Sequence, residues 1–225
     1  MKPVPILMSW SGGKDCVLAL DALRHDPRFE VVGLASGVCH ETGRIAIHEV
    51  RRELIREQAA SLGLPLSEVE LPSQPSNAEY ESLWQEFYRQ QQASGIGDVA
   101  FGDLFLEDIR AYRERFLGSV GMRAVFPLWG QPTAALARSA LENGLQAVVC
   151  SCDPQRMDRR FAGRLFDRQL IEELPADCDP CGENGEFHTF VFDGPGFSRQ
   201  VPWRRGEISR RGTVDFCDLL PLQPE

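Results

Sequence analysis

Near the N-terminus the chain reads Ser11-Gly12-Gly13-Lys14-Asp15-Cys16, directly after a short apolar run that ends in Ser9 and Trp10. Paired glycines let backbone N–H groups approach an anion closely. A helix starting here would add its unpaired N–H groups and the positive end of its dipole. Lys14 supplies a full charge, and Ser9 and Ser11 supply hydroxyls, so the segment reads as a polyphosphate cradle. It is not a Walker A loop, because the glycine required six residues before the lysine is Met8. The second chemical segment is Cys181-Gly182-Glu183-Asn184-Gly185-Glu186-Phe187-His188-Thr189-Phe190. If a strand begins at Glu186, then Glu186, His188 and Phe190 share one face, and carboxylate and imidazole can act together.

These groups need elements to position them. Residues 4–10 read as a buried strand, and residues 15–24 have helical apolar spacing. Further strands are predicted at 29–36, 64–71, 98–101, 123–127 and 146–152, with helices at 49–62, 79–92, 106–117 and 132–143. Such alternation predicts parallel pairing and an α/β three-layer sandwich with a mainly parallel sheet. The tail is richer in Gly and Pro, with short strands predicted at 187–192, 199–201 and 213–216. The expected organisation is a nucleotide-binding domain over residues 1–152 and a small β-containing substrate region over 153–225.

Bulk properties limit the function. A net charge of −9 argues against indiscriminate nucleic-acid or anionic-membrane binding. No apolar stretch approaches the roughly 18 residues a membrane span needs. Seven irregularly spaced cysteines are expected to be reduced thiols in a cytoplasmic protein. Cys178 and Cys181 form one Cys-x-x-Cys pair, but zinc would need ligands from distant segments, so no metal site is expected from protein side chains alone. Cys16, beside Lys14 at a helix start, is open to a lowered pKa, although a plain substitution is the simpler reading. The arginines at 110, 113 and 115 could hold phosphates or form a solvated helix face. The row Tyr80, Leu83, Trp84 and Phe87 reads as core or as the face of a homodimer.

From its first strand onward the chain resembles the ATP-pyrophosphatase (PP-loop) superfamily, whose HUP-type, Rossmann-like domain cleaves ATP between the α and β phosphates. The second segment resembles the Glu-Gly-Gly-Glu-Phe-Glu-Thr motif of its diphthine–ammonia ligase branch. Phe101-Gly102-Asp103 resembles that family's central Gly-Asp segment, and Phe126-Pro127-Leu128-Trp129 its Pro-Leu-Trp segment. Residues 144–151 resemble the strand that follows, and 157–167 a Gly-Arg-containing helix. The resemblance implies ATP and Mg²⁺ as cofactors, a small-molecule or protein carboxylate as acceptor, and ammonium or an amine as donor. It implies nucleotide contacts from Ser9, Ser11, Gly12, Gly13, Lys14, Asp15, Cys16 and Asp103. It implies catalytic roles for Lys14, Asp15, Glu183, Glu186 and His188, with Asp15 or Asp103 touching Mg²⁺. The chain has Asn184 where the family has Gly, and His188 where it has Glu. Loss of that carboxylate argues against the trimethylammonium group of diphthine. A bacterial subgroup linked to cobalamin salvage has a similar form, and the chain is expected to fall there. The implied function is adenylation and amidation of a carboxylate. The alternatives are an ATP-binding sensor without turnover and a tRNA-modifying PP-loop enzyme.

Overall fold

The computed structural model describes residues 2–222. Its first layer is a sheet of β1 (Val4–Ser9), β2 (Phe29–Cys39), β3 (Arg44–Ile45), β4 (Leu66–Leu71), β5 (Asp98–Ala100) and β6 (Arg123–Val125). The order is β3-β2-β1-β5-β6, with β4 also paired to β2. All pairings are parallel except the short β2–β3 ribbon. The helices are α1 (Lys14–Arg24), α2 (Arg52–Leu62), α3 (Asn77–Ala93), α4 (Glu107–Gly118), α5 (Thr133–Glu142) and α6 (Arg168–Glu173). α2 stops at Gly63, whose left-handed backbone (φ 67°) suits a residue without Cβ. α3 starts at Ser76, which forms a reciprocal capping box with Glu79.

Strand alternation divides the core. Ile6 and Met8 of β1 face a large cluster with Val17, Leu20, Leu54 and Ile55 of α1 and α2. Leu7 points the other way, into a second cluster with Trp84 and Tyr88 of α3 and Leu117 of α4. Period-two burial on β1 thus produces a sheet covered on both faces, as a parallel sheet requires. Trp84 and Tyr88 are core residues, whereas Leu83 is 38% exposed.

The C-terminal part forms a separate four-stranded antiparallel sheet, ordered β8-β7-β10-β9. Its strands are β7 (Gln146–Cys152), β8 (Phe187–Asp193), β9 (Trp203–Arg211) and β10 (Val214–Pro221). Three expectations are corrected here. The strand at 146–152 forms, but it pairs antiparallel with β8 and β10 instead of extending the parallel sheet. The division expected after residue 152 therefore falls at the end of a strand of this second sheet. Residues 199–201 are not a strand; β9 begins only after Pro202, which has no N–H to give a ladder. Within 157–167 the only helix is a three-residue 3₁₀ turn, Arg159–Phe161, and Gly163 (φ 78°) turns the chain away beyond it. The strands on the second sheet's face carry Val148, Phe190, Phe192 and Leu219 into the larger core.

Candidate functional site

The parallel sheet reverses its winding at β1. The chain first adds strands on the β2 side and later returns to place β5 on the other side. Such a switch point leaves a crevice at the carboxyl ends of the two strands. Here a cleft of about 360 Å³ opens between Ser9 and Ser11 after β1 and Phe101, Gly102 and Asp103 after β5. A larger cavity of about 590 Å³ lies between α5 and α6, lined by Arg138, Leu141 and Ile171 among others. It has neither a phosphate loop nor a nucleophile, so the chemistry points to the smaller one.

The glycine loop is tightly enclosed. Gly12 has φ 80°, and a Cβ there would meet Ile55 Cδ1 at 2.4 Å. A Cβ on Gly13 would meet His48 Cε1 at 2.8 Å, and one on Gly102 would lie 2.8 Å from the Asp15 carbonyl carbon. The second sheet clamps the loop from above: Val191 N–H donates to Gly12 O at 2.9 Å. The Thr189 hydroxyl accepts from Lys14 N–H at 3.0 Å. Gln58, fully buried on α2, donates to Gly12 O (3.0 Å) and Val191 O and accepts from Trp10 Nε1. The glycine loop and the C-terminal motif are thus one hydrogen-bonded unit.

Lys14 is 2% exposed. Its ammonium donates to Asp15 at 2.9 Å and to the Cys181 carbonyl, and it lies 5.3 Å from the Phe187 ring centroid. Burial opposes its charge, but Asp15, with Glu183 more weakly, raises its pKa overall, so it stays protonated. Asp15 Oδ1 is buried without a partner from any other residue. Glu183 accepts from Leu104 N–H at 2.7 Å. Burial, reinforced by Asp15 and Asp103, pushes its carboxyl up to about 7. Asp103 is held in a two-bond pair by Arg113 at 2.6 and 3.1 Å.

His188 lines the cleft beside His48, with ring centroids 4.6 Å apart and planes tilted by 38°. Burial first, and then Lys14, lower His188 to about 4. Burial also takes His48 well below its usual value, so both imidazoles are neutral at pH 7. Glu186 is not part of the cleft wall. Its Oε1 accepts from Asp179 N–H (3.0 Å), Asn184 (3.1 Å) and Arg156 (3.2 Å), all within or beside the turn that carries Glu183. β8 begins at Phe187, not Glu186, so the expected shared face with His188 is not formed as a pair facing the opening.

Cys16 does not have the lowered pKa that its position suggests. Its thiol donates to Gly13 O at 3.0 Å, and burial pushes it up to about 11. Sequence reasoning left Arg113 among several basic residues, yet it lines the cleft and sits 4.2 Å from the Phe101 ring centroid. Its signal was its place ten residues after Asp103. Thr189 lay inside the quoted motif without a role. His48 carries a sequence signal, since it stands just ahead of a helix on the side of the strands' carboxyl ends, where such sheets bind ligands, and the chain's return between β3 and α2 brings it to Gly13.

The switch-point cleft, the glycine loop ahead of α1 and the parallel sheet define a PP-loop protein of Rossmann-like fold. The diphthamide synthase N-terminal domain model matches residues 4–124, and the diphthamide synthase C-terminal domain model matches 132–220. The chain belongs to the diphthamide synthase family. It is 30% identical over 217 residues to a tRNA(Ile)-lysidine synthase of Solibacter usitatus, covering 89% of this chain and 47% of that protein. It is 25% identical over 125 residues to a diphthine–ammonia ligase of Schizosaccharomyces pombe, covering 54% of this chain and 21% of that protein. With a diphthine–ammonia ligase of Danio rerio it shares 25% identity over 158 residues, 64% of this chain and 62% of that one. The chain therefore spans less than two thirds of the length of each of these relatives. No helix among the described residues is long and apolar enough to cross a membrane.

Proposed function

We propose that this protein adenylates a carboxylate and amidates it, releasing AMP and pyrophosphate. One observation carries the reading: the glycine loop with Lys14 and the Glu183 turn of the C-terminal motif line a single cleft at the sheet's switch point. The glycines at 12, 13 and 102 let the loop pack against α2, His48 and Asp15, where a Cβ would clash, and phosphates suit the N–H groups at the start of α1. In the first step a carboxylate oxygen attacks the α phosphorus and pyrophosphate leaves. In the second, ammonia attacks the acyl carbon, a proton is lost from nitrogen and AMP leaves. The Lys14 ammonium, held at rest by Asp15 and the Cys181 carbonyl, is the charge that can turn to the departing pyrophosphate. Ser9 and Ser11 hydroxyls would hold phosphate oxygens.

Among the described residues no three His, Cys, Asp or Glu side chains converge as a metal cage. Mg²⁺ binds through one or two carboxylates plus substrate phosphates and neutralises their charge. Asp15, with an unpartnered Oδ1, would hold it; Asp103 is already paired to Arg113. The neutral imidazole of His188 can accept a hydrogen bond from the incoming amine. Glu186 would act by fixing the turn that presents Glu183. We also propose that the chain divides between β6 and α5, where the two family matches meet.

A second reading keeps the chemistry and changes the acceptor to a tRNA base, favoured by the 30% identity to the lysidine synthase over 217 residues. The net charge of −9 weighs against an RNA face.

The test is to incubate the pure protein with ATP, Mg²⁺ and ammonium against a panel of carboxylates, cobalamin fragments included, and to separate the nucleotides. AMP and pyrophosphate, lost in Lys14→Ala, support the ligase, and the stimulating carboxylate names the acceptor class. ADP overturns it in favour of cleavage between the β and γ phosphates, and bound ATP that stays intact overturns it in favour of a sensor.

A further inference from the structure

Among the described residues two that are not glycine have left-handed backbone, and both lie in one short segment: Ile47 (φ 69°) and Glu49 (φ 57°). This conformation is disfavoured for L-residues and most of all for a β-branched one. Ile47 is also 70% exposed, more than any other large apolar side chain described. Exposure and strain thus coincide at a single residue, and that residue lines the candidate cleft together with Ala46 and His48.

The base of this segment is firmly held. Ile45 N–H donates to Val50 O at 2.8 Å. Arg44 donates to Glu49 O at 2.6 Å and pairs with Asp218 of β10 at 2.8 Å. Arg51 reaches the same carboxylate at 2.7 Å. Glu49 N–H also donates to Ile45 O at 2.9 Å, so the held base reaches Glu49 and only Ala46 to His48 forms the tip. His48 N–H closes a tight turn onto Ala46 O, and the His48 ring rests 3.2 Å from Thr189 O, beside Gly13. Ile47 has no comparable support, though the same cleft contains Leu106 and Ile109 at the start of α4. A fixed base, a strained tip and an apolar side chain at the mouth of a cleft are the parts of a closing element.

We propose that residues 46–49 form a strap that closes over bound ATP, with Ile47 moving from solvent onto the nucleoside. This inference rests on the ATP-binding reading above. Closure turns on the held Glu49, buries Ile47 and lets the backbone at 47 leave the left-handed region. Pyrophosphate, which has no nucleoside to cover, does not draw the strap down.

The test follows amide hydrogen exchange across 46–49 in the wild-type protein with Mg²⁺ and ATP, Mg²⁺ and pyrophosphate, or Mg²⁺ alone, and measures affinities by calorimetry. Exchange at these amides should slow at least about tenfold with ATP and stay unchanged with pyrophosphate. Ile47→Asn keeps a residue that tolerates φ > 0 and removes the apolar contact. It should raise the unfolding midpoint by about 2–4 °C. It should also weaken ATP binding roughly tenfold and leave pyrophosphate binding unchanged. ATP that binds the wild type without slowing exchange at 46–49, or that binds Ile47→Asn as tightly as wild type, overturns the strap and leaves the nucleotide site standing. If ATP does not bind at all, the nucleotide reading falls, and the strap falls with it.

Discussion

Two titratable side chains at the cleft, Glu183 and His188, are set by burial and by charged neighbours. Glu183 has its carboxyl raised to about 7, above the ordinary value of 4.5, by burial and by Asp15 and Asp103. The folded state therefore holds this proton more tightly than the unfolded chain does. The stabilisation it gives is full below about pH 4.5 and is lost as pH rises through 7. Glu183→Gln should remove that loss, so the difference in unfolding midpoint between variant and wild type should widen in the variant's favour from pH 5 to 8. His188 has the opposite sign. Its pKa is lowered to about 4 from 6.5, so its contribution is present above pH 6.5 and lost as pH falls through 4. In ¹H–¹³C spectra of the imidazoles, the His188 resonance should keep its neutral shift down to about pH 5. A midpoint near 6.5 would mean that the ring is solvated and not packed against His48.

At the scale of elements, the loop before α1 depends on strands and helices from both sheets. Gly12 is left-handed and pressed against Ile55 and Gln58 of α2. Gly12→Ala should cost about 2–5 kcal/mol in denaturant unfolding, combining left-handed strain with overpacking. Thr189→Val leaves the Lys14 N–H without its acceptor and should cost about 1–3 kcal/mol. It should also weaken pyrophosphate binding, since that N–H belongs to the phosphate loop. Pyrophosphate affinity equal to wild type in Thr189→Val would show that β8 does not help shape the cradle. The elements themselves were largely legible. Apolar periodicity and stop signals such as Gly63 located the strands and helices of the parallel layer. The short β3 ribbon and the six-residue α6 were not legible, because so few residues carry no period.

The two sheets are joined as a whole by polar contacts across long sequence separations. Asp218 of β10 takes both Arg44 and Arg51, 174 and 167 residues away. Asp218→Asn removes the charge that pairs two guanidiniums, one of them 7% exposed. It should lower stability by about 2–3 kcal/mol and increase hydrogen exchange at the base of the 46–49 segment. A stability loss without that local change would separate the two sheets' attachment from the loop's support.

The sequence by itself determined the parallel α/β layer, the loop from Ser11 to Cys16 and the C-terminal motif, because each is written in neighbouring residues. Only the tertiary structure decided how they meet. Placing β7 in the antiparallel sheet depended on partners 30 or more residues away, which no local pattern records. Bringing Thr189 to Lys14 and His48 to Gly13 required long-range closure of the chain. Burial then decided the chemistry. Cys16 looks activated beside Lys14 in the sequence, but in the folded chain its thiol is buried and its pKa rises to about 11. Glu186 looks like a partner of His188, but its Oε1 is engaged by the turn that holds Glu183. A pKa is set by solvent access and by neighbours in space, and neither exists until the sheets have packed.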